Sequence, residues 1–206
     1  KSNILESIRA LSVGKSEKAQ YDRDLIMFDK DFCSIEGNVE ILGETTNLNI
    51  NIVKNPNYTN ASLKKILINK VGKSVQTLTG LFNTVLFSPQ DIGLLTGSPS
   101  ERRKFIDNTL IQVNKDYKKA LANYKKAVRQ RNKLFEQINE FRKGSDQLEF
   151  WNKVFLENGL IIQEKRREFF DYINKHVGEN GYHLNSGKHK IETLYKKSEL
   201  SLNKIH

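Results

Sequence analysis

The spacing of apolar positions changes along this chain, and each change predicts an element. From Asn3 to Val13, Ile4, Leu5, Ile8 and Leu11 fall on one side of a helix that Gly14 stops. From Phe32 to Val53 the period drops to two. Cys33, Ile35, Gly37, Val39 and Ile41 alternate first, then Leu48, Ile50 and Ile52, with a turn at Gly43-Glu44-Thr45-Thr46. Asn55 to Asn60 is too polar for a strand. Lys65 to Val75 predicts two more short strands bent at Lys70-Val71-Gly72, completing an antiparallel meander. A short helix over Leu78 to Phe82 is expected to feed an apolar strand, Val85-Leu86-Phe87, that ends where Ser88-Pro89 withholds a ladder donor.

Beyond Gly97-Ser98-Pro99 the period becomes helical. Ser100 is placed to cap a helix running to Gln112, and Asn114 to cap a second that reaches about Arg142. Apolar residues recur at Phe105 or Ile106, Leu110, Val113, Tyr117, Leu121, Tyr124 and Val128. A third helix starts after Gly144, with Leu148, Trp151, Phe155, Ile162, Phe169, Ile173 and Val177 on its inner side. Two helices of this length joined by a Gly-Ser turn should fold back as an antiparallel pair, with Trp151 in the core. Lys190 to Tyr195 hints at a strand. The fold class is therefore mixed α/β.

Charge sharpens this picture. The chain has 206 residues, 28% of them charged, and a formal net charge of +10, which favours a polyanionic partner over a basic surface that only aids solubility. Much of the excess lies on one predicted helix. Lys118, Lys125, Arg129 and Lys133 fall near one side, flanked by Lys119 and Lys126, and Asp116 is the only acid between Lys115 and Lys133. That face has no interleaved aromatic, so phosphate contact rather than base reading is expected. Glu101-Arg102-Arg103 is the one tight charged cluster. Arginines at a helix start oppose its dipole, which points Arg102 and Arg103 toward an acidic partner, with a salt bridge from Arg103 to Asp107 as the plainer reading.

Other chemistry is absent from the pattern. His176, His183, His189 and His206 have no ligand partners at metal spacing, and no catalytic triad order is visible. Cys33 is the only cysteine, which suits a reducing, cytoplasmic setting, and no apolar run approaches a membrane span. A first residue of Lys1 reads as an internal piece of a longer protein.

Three stretches carry a family resemblance. Ser88-Pro89-Gln90-Asp91 followed by LLTGSPSERRKFID and a tyrosine-bearing helix ending KKAVRQRNKL resembles the bacterial RecF family. The run KSNILESI from Lys1 resembles that family's phosphate-loop lysine and following helix. Leu148 to Phe170 is similar to its tryptophan-glycine-arginine helix. RecF proteins are ABC-type ATPases related to SMC proteins, acting in gap repair and replication restart. The resemblance implies an ABC-type head lobe over 1–87, a helical lobe over 88–190 and the start of a return to the nucleotide lobe over 191–206.

It also implies ATP and Mg2+ as cofactors, with Lys1 at the β and γ phosphates and the Ser2 hydroxyl on magnesium. Gln90 stands in the loop where ABC ATPases sense metal and attacking water, although relatives more often carry an acid there and Ser88 is the competing alignment. Lys15 and Lys18 occupy positions where the family favours arginine, and Glu17 one where it favours an aromatic. Implied partners are DNA at single-strand/duplex gaps, a second copy on ATP binding, and other recombination mediators. Without the signature and acidic metal-binding segments, this stretch alone is not expected to hydrolyse ATP. A second reading, a non-enzymatic basic helical hairpin binding RNA or DNA, explains Lys115 to Lys133 and the charge equally well. It leaves Lys1-Ser2, the meander and Ser88-Pro89 unexplained.

Overall fold

The structure is a computed structural model that describes residues 2–55, 61–141, 145–184 and 192–197. It divides into two compact units, Lys1–Lys115 and Asp116–His206.

The first unit is built on a four-stranded antiparallel sheet in sequential order, β1 (Phe32–Ile41), β2 (Glu44–Lys54), β3 (Ser62–Ile68) and β4 (Val71–Lys73). The period-two reading holds because alternate side chains line opposite faces. Ile35, Ile50 and Ile66 stand opposite one another across three strands. With Leu48 and Ile52 they are buried against Ala10 and Leu11 of helix α1 (Ser2–Val13) and Leu78 of the short helix α2 (Val75–Leu78). The other face is polar, and the Asn47 amide donates to Glu36 and Asn38.

Several boundaries differ from the sequence reading. Both hairpins turn earlier than expected, at Leu42-Gly43 and Asn69-Lys70, with strand pairing resuming at Glu44 and Val71. All four turn residues have positive φ, which defines two-residue turns whose twist matches the flanking strands. Asn69 suits the second, since its side chain accepts from the Asn47 N–H at 2.8 Å. The short helix falls at Val75–Leu78 rather than Leu78 to Phe82, because Ser74 accepts from the Thr77 N–H and caps it. Val85-Leu86-Phe87 is not a strand. Among the described residues nothing pairs with it, and Val85 and Phe87 are almost fully exposed. An apolar run becomes a strand only where a neighbour supplies ladder partners.

The stripe expected on α1 is also only partly buried. Leu11 is inside, but Ile4 and Leu5 are 65% and 60% exposed, while Arg9, Ala10, Ser12 and Val13 are buried. Only the last turn and a half of α1 packs on the sheet. Gly14 stops it at φ 75°, where a side chain would also press into Val75.

After a 3-10 turn over Pro89–Ile92 come α3 (Gly93–Thr96) and α4 (Pro99–Val113). The cap of α4 is Ser98 rather than Ser100. Its hydroxyl accepts from the Glu101 N–H, and the Glu101 carboxylate accepts from the Ser98 N–H at 2.8 Å. Pro99 thus occupies the first helical position, where its missing N–H costs nothing.

The second unit holds α5 (Lys115–Phe141) and α6 (Ser145–Leu184). They run antiparallel, as expected, since contacts from Tyr117, Tyr124 and Arg131 reach progressively earlier residues, Arg166, Phe155 and Asn152. Gly144, which was to join them, lies outside the described residues. Asn114 stands between α4 and α5, and its N–H closes α4 on the Leu110 carbonyl. Of the strand expected at Lys190 to Tyr195, Lys190 and Ile191 lie outside the described residues, and the described remainder is not a strand. Glu192 to Lys197 has no regular structure, Thr193 bonds the Asn174 amide, and Tyr195 stacks on Phe170.

Candidate functional site

The N-terminal end of α1 opens at Ser2, which is exposed, with no acid in the first turn. Its free N–H groups and the helix dipole favour an anion there. The opposite end carries a cation. Lys64 from β3 donates to the Gly14 carbonyl at 2.9 Å and pairs with Asp22 at 2.7 Å. Lys1, assigned to the phosphates by resemblance, lies outside the described residues.

Behind this helix sits a polar cluster that the sequence pattern did not reveal. Arg9 donates to the Thr84 carbonyl and hydroxyl at 3.1 and 3.0 Å and to Glu17 at 3.3 Å. Glu17 also pairs with Lys104 of α4 at 3.6 Å and accepts from Asn108 at 3.3 Å. The Asn108 carbonyl oxygen of its side chain accepts from Lys15, so Lys15 is turned toward α4. One turn further on, Ser12 donates to the Phe82 carbonyl and to Gln112, whose oxygen also accepts from the Thr84 N–H. Helix periodicity signals apolar burial and is blind to polar groups brought together from distant segments. The unusual Glu17 was the only visible hint.

Gln90 lies within the 3-10 turn after Ser88, and its side chain is outside the described residues. The turn itself is organised by Asp91, whose carboxylate accepts from the Ser88 N–H at 2.6 Å. Arg102 folds back to donate to the Gly97 carbonyl at 2.9 Å, and Arg103 is exposed. Gly97 is demanded here, since a side chain would collide with the Gly93 carbonyl oxygen. The dipole of α4 that the arginines oppose is met by Glu101 in its first turn.

On α5, Lys125, Arg129 and Lys133 are exposed, as are Lys119 and Lys126, while Lys118 is half-buried. Arg131 departs from this basic face. Its guanidinium lies 4.5 Å from the Phe155 ring centroid and donates to Asn152 at 2.7 Å. Burial pulls its pKa below the ordinary arginine value and pushes Tyr124 above the ordinary tyrosine value. Lys126 lies 5.7 Å from the Trp151 ring centroid, so an aromatic from α6 does border the basic face. Among the described residues no three His, Cys, Asp or Glu side chains are grouped to hold a metal, and no helix is long and apolar enough to cross a membrane.

A mixed α/β unit whose sheet backs a helix with an anion-accepting N-terminus, followed by a long antiparallel helix pair, matches solved recombination mediators. Two structures described as the recombination mediator protein RecF of the RecFOR pathway, one with ATP and one with an ATP analogue, superpose with TM-scores of 0.80 and 0.78. Both are 29% identical and are matched over 90% of this chain and 48% and 49% of theirs. No protein-family profile matches. Curated proteins described as DNA replication and repair protein RecF do match. Those of Agathobacter rectalis and Lachnospira eligens are each 33% identical over 96% and 95% of this chain, and that of Bacillus thuringiensis is 31% identical over 96%. The chain belongs to the RecF family, and it spans about half the length of these relatives, 52% to 53%.

Proposed function

We propose that this chain forms the phosphate-binding helix, meander and helical hairpin of an SMC-like ATPase of RecF type, which binds DNA in an ATP-dependent way during recombinational repair. The observation that carries this reading is the match along nearly the whole chain to RecF proteins, among them a solved structure of RecF with ATP. In this reading Lys1 reaches the β and γ phosphates and the first N–H groups of α1 cradle them. The Ser2 hydroxyl gives one oxygen to Mg2+, which suits a hard cation that keeps several waters and takes few protein ligands. The metal supplies charge neutralisation at the phosphates when bound. Gln90 is the candidate for orienting water. Two copies sandwich ATP, and DNA lies on a basic surface that includes Lys125, Arg129, Lys133 and the exposed Arg103, with Lys118 and Arg102 as weaker contributors because each already holds other partners.

The test is equilibrium dialysis of ATP against the full-length protein and its Lys1→Ala variant. Loss of binding in the variant supports the phosphate-loop assignment, and unchanged affinity overturns it. For DNA, a Lys125, Arg129 and Lys133 triple alanine variant should lose about three units of the log–log salt slope on duplex DNA. A slope and affinity equal to the parent's would remove this face from the DNA site.

A further inference from the structure

The polar cluster behind α1 joins three segments far apart in sequence. Arg9 is only 8% exposed and its Nε has no partner among the described residues, so its charge relies on Glu17 for compensation. Glu17 in turn holds Lys104 and Asn108 of α4. On the other side, Arg9 grips Thr84 through both its carbonyl and hydroxyl, and Gln112 of α4 grips the Thr84 N–H. Thr84 is thus held at three polar atoms, from α1 and α4 together. It is the last residue so fixed before the exposed run Val85–Phe87 and the turn that contains Gln90.

Resting on the ATPase reading above, we propose that Glu17 is a positioning residue for hydrolysis. Through Arg9 and Thr84 it sets where the Gln90 turn stands relative to the phosphate-binding end of α1. In this proposal Glu17 acts only through Arg9, Lys104 and Asn108, its partners in the cluster. Phosphate affinity belongs to Lys1, Ser2 and the α1 N–H groups, which the cluster leaves alone. A group that orients water must be held to a fraction of an ångström, and misplacement lowers turnover without weakening ground-state binding.

The experiment compares full-length parent, Glu17→Gln, Thr84→Val and the double variant by ATP dialysis, steady-state ATPase kinetics and thermal melting. Each single variant should hold ATP within about twofold of the parent and lose about tenfold in kcat. The double variant should be no worse than the worse single one, because both act through one chain of contacts. Thr84→Val keeps the side chain's shape and removes one acceptor, so it reports even if Glu17→Gln unfolds. Parent kcat in both singles overturns the proposal, as does affinity falling in step with kcat, or losses that simply multiply. A parent that binds no ATP sinks the phosphate-loop reading itself, a distinct failure visible before any variant is made.

Discussion

The two units solve burial differently. The sheet unit closes on aliphatic side chains, with Leu48, Ile50, Ile52 and Leu78 all at 1% exposure or less. The helix pair closes on a seam in which polar groups recur. Its members are Tyr117 with Arg166, Asn123 with Asn158, and Arg131 with Asn152 and Phe155, and Gln163 is buried as well. Apolar transfer stabilises the first in proportion to area, without direction. Hydrogen bonds and ring contacts add less net stability but fix one pairing of the helices, since a slip of one turn would strand each polar partner. The sheet is thus held by undirected apolar burial, whereas the hairpin adds to its own buried Leu121, Leu134, Leu156 and Ile162 a seam that specifies the pairing.

The largest blow to that contrast comes from the sheet. Ile50→Ala should cost about 3 kcal/mol, read as a lower urea midpoint, because the site is enclosed on three strands and cannot collapse. A loss below about 1 kcal/mol would mean the aliphatic layer is not where stability resides. Next comes Tyr117→Phe, which removes the hydroxyl that accepts from Arg166 at 3.0 Å in a fully buried ring. It should cost about 1.5 kcal/mol, and a neutral result would show the seam to be decorative.

The smallest effect is at Cys33, whose thiol pKa is raised by burial. The folded state therefore keeps its proton at pH values where the unfolded thiol ionises. It contributes full stability below the unfolded pKa and loses some as pH rises through it. Maleimide labelling near pH 8.5 should run slower on folded than on urea-unfolded chain, and the gap should narrow at higher pH. Equal rates would deny that this strand residue is shielded.

Local pattern was enough to determine a good deal. Alternation places β1 and β2 because a one-residue slip would turn Ile35, Leu48, Ile50 and Ile52 to the polar face. Helical spacing places α1, α4, α5 and α6, and the RecF-like motifs name the family. What tertiary structure alone decided concerns groups whose partners come from elsewhere. Val85–Phe87 has strand composition and no ladder. Arg131 sits in a basic run and turns inward because Phe155 and Asn152 receive it. Ile4 and Leu5 are spaced for burial, yet only the end of α1 meets the sheet. The cluster of Arg9, Glu17, Thr84, Asn108 and Gln112 has no signature beyond the unusual Glu17. Periodicity encodes which side of an element is apolar, a property of neighbours in sequence. A hydrogen bond between residues up to about a hundred positions apart, such as Ser12 with Gln112, exists only once folding has brought their segments together.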